Sequence, residues 1–278
     1  MTIHSTHITF TWLCASLCCV YASFIQAQDS VSGPLQITFI KVPAGEFMMG
    51  TPDLVEALFE MDDPQESSVQ DEQPVHLVRI TQPFYLSQTE ITQGQWFQLM
   101  GTKPGPERLW QQDQWQQLPV VSVSWMAVQT FIQKLNQQDP GHAYQLPTEA
   151  QWEYAARAGD PNFRPFENDN LEEYAWLLSN SGDVPHPVAQ KKPNAWGFYD
   201  TLGNAWEWVA DWYAADYYAA STVINPTGPD QPSAAKNRAR RGGSYHCKQQ
   251  MVRPGYRAAD TPDTAYTVLG FRLRMDQP

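Results

Sequence analysis

The stretch Asn194-Ala-Trp-Gly-Phe-Tyr-Asp-Thr-Leu-Gly-Asn-Ala-Trp-Glu-Trp-Val-Ala-Asp-Trp-Tyr213 puts four tryptophans, two glycines and three acidic side chains into twenty residues. An ordinary core strand does not combine these types: the indoles call for burial, the glycines for turns, and the carboxylates for cations or donors. Trp206, Trp208 and Trp212 are expected in the core, because a loop-rich chain without disulfides needs large buried groups. Further along, Arg240-Arg-Gly-Gly-Ser-Tyr-His-Cys247 sets a cysteine just after a Gly-Gly turn.

The chain has 278 residues and a net charge of −12. That balance argues against nucleic acid and anionic membrane surfaces as partners and is compatible with calcium or a basic partner. The first 27 residues carry no Lys, Arg, Asp or Glu, and Ile8 to Phe24 is mostly apolar. They read as a secretory signal cleaved after Ala27, although the n-region lacks a positive charge; an uncleaved anchor is the rival reading. Cleavage would leave a short leader at 28–34 and one domain over 35–278, without an integral membrane span. Cys14, Cys18 and Cys19 fall in the signal, so the mature chain keeps Cys247 alone and no internal disulfide is possible. Such a cysteine is a residual metal or redox thiol, a small apolar packing group or an intermolecular link. His246 beside it points to the opposite face if the segment is a strand.

Hydrophobic patterning predicts strands over Ile37–Val42, Gly45–Gly50 and Val75–Ile80, and an acidic solvated loop over Asp62–Pro74. Thr92 caps a helix running to Met100, Ser124 caps a run from Trp125 to Leu135, and Thr148 with Gln151 forms a capping box for Thr148–Arg157. Glu149 and Glu153 lie one helical turn apart; capping and a solvated helix face are expected of them rather than acid/base chemistry. Past Gly159 the chain reads as short strands and long loops. The class is therefore α+β with much irregular structure. No His-Glu-x-x-His, phosphate-binding glycine loop or Gly-x-Ser-x-Gly elbow is present.

The ordered motifs Val42-Pro-Ala-Gly-Glu-Phe-Met-Met-Gly50, Glu72-x-Pro-x-His76, Glu90-Ile-Thr92, Gln145-Leu-Pro-Thr-Glu-Ala-Gln-Trp-Glu-Tyr-Ala-Ala-Arg157, Gly203-Asn-Ala-Trp-Glu-Trp208, Arg241-Gly-Gly-Ser244 and Leu269-Gly-Phe-Arg272 span nearly the whole mature chain. Together they resemble the formylglycine-generating enzyme family, also called the sulfatase-modifying factor domain. The resemblance implies one compact domain, a C-type-lectin-like variant. It also implies a Cu(I) site of two cysteines, which suits a soft ion, and oxidation of a client cysteine to formylglycine. Cys247 occupies the first cysteine's place; the second is missing, so copper is not expected. The family's calcium ligands map onto Asp200, Gly203, Ala205 and Glu207, with Asp200 replacing an asparagine, and a structural calcium ion is expected there. The functional expectation is an exported, periplasmic or secreted pseudoenzyme that binds or regulates an envelope protein or glycan. Two alternatives stay open: a divergent oxidative enzyme using Cys247 on a client protein or siderophore-like metabolite, and, less favoured, a sulfatase activator.

Overall fold

Strand β1 (Ser30–Ser32) opens a five-stranded antiparallel sheet in the order β1-β2-β5-β11-β6, with β2 at Thr38–Val42, β5 at Phe84–Ser87, β6 at Tyr144–Gln145 and β11 at Arg274–Met275. The computed structural model describes residues 29–52, 69–162 and 170–276. The leader and proposed cleavage point at 1–27, and most of the acidic stretch after Asp62, lie outside these residues.

The first and last strands of the domain meet in this sheet: Ile40 faces Leu86, and Met275 faces Tyr85. A second sheet has the order β10-β7-β8-β9, built from β7 (Trp206–Trp212), β8 (Arg238–Arg241), β9 (Arg257–Asp260) and β10 (Leu269–Phe271). Here β10 runs parallel to β7 and the other pairs are antiparallel. A third ribbon pairs β3 (Gly45–Met49) with β4 (His76–Ile80).

Helices fill the space between. α1 (Gln93–Met100) begins at Thr92, whose side chain accepts from the Gln95 amide in a complete capping box. α2 (Glu107–Trp110) is one turn. α3 (Trp125–Gln138) is capped by Ser124 and buries Val128, Phe131, Ile132 and Leu135. α4 (Glu149–Arg157) starts with the Thr148/Gln151 capping box, and α5 (Leu171–Tyr174) is again one turn. Among the described residues no helix is long and apolar enough to cross a membrane.

The core gathers under the two larger sheets. Trp96 stacks on Phe131 at 5.4 Å, and both meet Phe271 edge-on. Trp206 and Trp208 are buried, as expected, while Trp212 stays half-buried with the Arg238 guanidinium 3.4 Å from its ring centroid.

α4 departs from the sequence expectation. Glu149 and Glu153 are buried, not solvated. With Arg157 they form the inward face of the helix, each one turn apart. Glu149 receives Arg257 through two bonds of 2.8 and 3.0 Å and Arg241 at 2.8 Å. Glu153 receives Arg157 at 2.8 Å, Arg241, and the Gly50 amide at 2.9 Å. A single helix face thus bolts β3, β8 and β9 together. The reason is electrostatic: buried carboxylates are tolerated only when paired and fully hydrogen-bonded. The same logic corrects Glu72, read as part of a solvated loop: it is buried and paired with Arg253.

Candidate functional site

Cys247 is positioned by the Gly242-Gly243 turn that ends β8. Both glycines have positive φ, 99° and 75°, and a Cβ on Gly242 would come 3.1 Å from both the Thr201 carbonyl and the Trp152 ring. The chain then coils so that the Cys247 amide donates to the Ser244 carbonyl at 2.9 Å. The thiol lies 3.3 Å from Ser244 Oγ, 5% exposed, in the same apolar cluster as Trp206 and Val252, with Met251 and Tyr256 packed against it. Burial pushes the thiol up from its usual value; the Ser244 hydrogen bonds and the Arg240 charge oppose this only in part. His246 turns away: its ring is largely exposed and contacts Asp183. The segment is a turn and not a strand, yet the two side chains diverge as alternation would have them.

Beside the thiol, Tyr256 stands between Trp206, 5.7 Å away by ring centroid, and the Arg253 guanidinium at 4.7 Å. Its outer side lines an open groove of about 630 Å³ that also involves Gln70, Asp71, Gln73, Asp216 and Arg257. Arg257 is fully engaged, donating to Glu149 and to the carbonyls of Asp71 and Ala214. Tyr213 donates to Asp71 Oδ2 at 2.6 Å. The groove's own charge is therefore that of Asp71 and Asp216, which favours cationic or hydroxyl-bearing ligands. Burial pushes the Tyr256 hydroxyl up to about 12. None of the groove residues carried a motif in the sequence; only their position around Arg257 reveals them.

Of the expected calcium ligands, the Asp200 and Glu207 carboxylates are buried and near enough for Glu207 to raise Asp200. Glu207 is fully buried on β7, and both of its oxygens are engaged: Arg272 donates through Nε at 2.6 Å and through its terminal nitrogen at 2.7 Å, and Trp152 Nε1 donates at 2.7 Å. The cation facing Glu207 is thus the chain's own guanidinium. Gly203 has φ +77°, and a Cβ there would lie 2.2 Å from the Trp176 carbonyl, so the turn around it is filled by backbone. Asp200 does fit a cation in one respect. Its Oδ2 accepts from the Ala189 amide at 2.8 Å, but its buried Oδ1 has no partner. Ala205 is buried beneath β10. Among the described residues, no group of three or more His, Cys, Asp or Glu side chains is arranged to hold a metal. Sequence reading missed Arg272 as the partner of Glu207. It named Glu90 in a motif but gave no role to its carboxyl, whose Oε1 accepts from Asn204 Nδ2 at 3.1 Å and which is held well above its usual range by burial and by Asp200.

Residues 28–277 match the family model for the sulfatase-modifying factor enzyme 1-like domain. The chain belongs to this family. A formylglycine-generating enzyme from Streptomyces coelicolor is 36% identical over 175 residues, covering 57% of this chain and 52% of that protein. The chain spans about half the length of the curated relatives it matches. Among solved structures, PvdO from Pseudomonas aeruginosa superposes with a TM-score of 0.76 at 25% identity, covering 90% of this chain and 98% of that one. Treponema denticola variable protein 1 superposes with a TM-score of 0.73, also at 25% identity, covering 90% and 99%. The single-domain α+β fold is that of the family.

Proposed function

We propose that this member of the sulfatase-modifying factor family is an exported binding or regulatory component without formylglycine-generating activity, working in the periplasm or outside the cell on an envelope protein or glycan. The observation that carries the reading is Cys247. A Cu(I) site in this family needs two thiolates. Here the one thiol among the described residues is buried in the apolar core, and its surroundings hold it neutral. A neutral thiol is a poor ligand for a soft cation and a poor nucleophile. The groove over Tyr256 is the surface on which binding is expected, because it is concave, open and combines a largely apolar lining with the carboxylates of Asp71 and Asp216.

The test has two arms. A Cys-x-Pro-x-Arg peptide incubated with the copper-loaded protein should keep its thiol when analysed by mass spectrometry. Conversion to the aldehyde at a rate lost in Cys247→Ser overturns the reading. Export is tested by sequencing the N-terminus of protein recovered from the envelope, which should begin near Gln28; an intact N-terminus in the membrane fraction would make the leader an anchor.

One observation favours a second reading, a divergent enzyme acting on a client protein or a secreted metabolite. Tyr256 lines the groove and lies near enough to Cys247 for the thiol to bear on its hydroxyl, so a ligand in the groove would approach the thiol from the far side of that ring. A phenotype lost in Cys247→Ser while partner recovery is unchanged would select it.

A further inference from the structure

Away from this site, three aromatic rings meet at the edge of the core, with Phe97 and Trp115 partly exposed and Trp110 buried at 5% exposure. Phe97 sits on the outer side of α1 and is 39% exposed. Trp110 ends α2, and Trp115 opens the turn that follows. Their centroids are 5.3 to 6.4 Å apart and their planes are inclined by 44° to 87°, so the three rings wall a corner. Above it stands the Lys103 ammonium, 5.4 Å from Phe97, 5.8 Å from Trp110 and 5.7 Å from Trp115.

This arrangement is built, not incidental. Gly101 ends α1 in the left-handed conformation, φ 67°, and turns the chain back over the helix. Two indoles then pin the returning segment: Trp96 Nε1 donates to Thr102 Oγ1 at 3.0 Å, and Trp110 Nε1 donates to the Pro104 carbonyl at 2.7 Å. Lys103 lies between the pinned residues. Elsewhere in the chain, cations over rings are also held by carboxylates or carbonyls, as Arg240 over Trp206 is held by Asp260, and Arg238 over Trp212 by the Ala210 carbonyl. Lys103 has no ion pair among the described residues, and the rings are its contacts.

We propose that Phe97, Trp110 and Trp115 form a subsite for a trimethylammonium group, with Lys103 as its internal competitor. The chemistry follows from the distances. The Lys103 ammonium, tethered between the pinned residues, stays more than 5 Å from each centroid. A trimethylammonium group is weakly hydrated, and its methyl groups would fill the gap to the ring faces, gaining dispersion as well as the attraction of the ring quadrupoles. The acidic chain, net charge −12, favours the same ligand sign.

The experiment titrates the full chain with choline and with free trimethyllysine, reading tryptophan fluorescence. The control is 3,3-dimethylbutan-1-ol, which has the shape of choline without its charge. Saturable binding in the millimolar range is expected for the cations and not for the alcohol. Lys103→Ala should tighten it by about threefold or more, and Phe97→Leu and Trp115→Leu should each weaken it by about tenfold. Circular dichroism melting identifies any variant that is not folded, and Phe97→Leu keeps most of the apolar volume should Trp115→Leu fail. Equal binding of the alcohol, binding unaffected by the ring variants, or no saturation in either wild type or Lys103→Ala overturns the proposal. Unchanged affinity in Lys103→Ala overturns the competitor role.

Discussion

At the scale of single residues, Cys247 and Glu207, the two side chains on which the metal expectations rest, are both buried. Cys247 sits in an apolar cluster, where a small apolar group would fit. Its burial predicts that a thiol reagent will label the native chain at least about 100-fold more slowly than the urea-unfolded chain, because only the thiolate of an opened state reacts. Replacement by alanine should cost only about 1–2 kcal/mol. Labelling at equal rates in both states would mean an accessible thiolate and would reopen the redox reading. Glu207 is held by Arg272 and Trp152. Glu207→Gln leaves a buried guanidinium facing a neutral amide, so a loss of about 3–5 kcal/mol is expected from the broken ion pair. Since Arg272 already neutralises Glu207, calcium chelation should leave the melting temperature of the wild type unchanged. A fall of several degrees on adding chelator, abolished by Glu207→Gln, would show that a calcium ion displaces the guanidinium.

At the scale of elements, α4 separates local from tertiary stabilisation. Thr148→Ala removes a helix cap and should cost about 1 kcal/mol, whereas Glu153→Gln, which keeps the shape but uncouples Arg157 and Arg241, should cost about 3–5 kcal/mol. Urea unfolding of both variants measures the ratio. A cap loss exceeding the charge loss would mean that the buried network contributes little net stability. The same contrast explains what the sequence made legible. Thr92, Ser124 and Thr148 announce their helices because a cap and its partner lie three residues apart. The strands Thr38–Val42, Gly45–Met49 and His76–Ile80 show through their alternation. The burial of Glu149 and Glu153 was hidden, since their partners Arg257 and Arg241 lie 108 and 88 residues further on. An i, i+4 pair of carboxylates looks the same facing water or facing two arginines. Glu72 was hidden for the same reason, with Arg253 lying 181 residues away. The groove was not legible at all, because Gln70, Asp71, Asp216 and Tyr256 converge only once β9 and the turn at 70–72 have packed.

At the scale of the whole molecule, the buried charges divide into two classes with opposite pH dependence. Glu149 and Glu153 are held below their usual range; although burial is the largest influence and raises them, the arginines Arg257, Arg241 and Arg157 together outweigh it. Their stabilisation is present above the ordinary glutamate value and is lost as the pH falls below it. Asp211 is the reverse. It lies on β7 beneath the start of α4, where it accepts from the Glu149 amide at 2.8 Å, and burial and then the Glu149 charge push it up to about 8. Glu72, Glu90 and Asp200 are also raised, chiefly by burial. For these four groups the folded chain binds protons that the unfolded chain releases, so stability falls as the pH rises from the ordinary carboxylate range toward their folded values. Together the classes predict a maximum of stability near about pH 5, with a decline toward pH 8 that Asp211→Asn flattens. The asparagine keeps the acceptor for the Glu149 amide and removes the cost of burying a charge, so it should add about 1–3 kcal/mol at pH 8 and little at pH 5. Calorimetric melting of both proteins across this range checks the sign directly. A melting temperature that climbs steadily to pH 8, unaltered by Asp211→Asn, would mean that Arg241 and Arg257 keep Asp211 ionised and that it belongs with the first class.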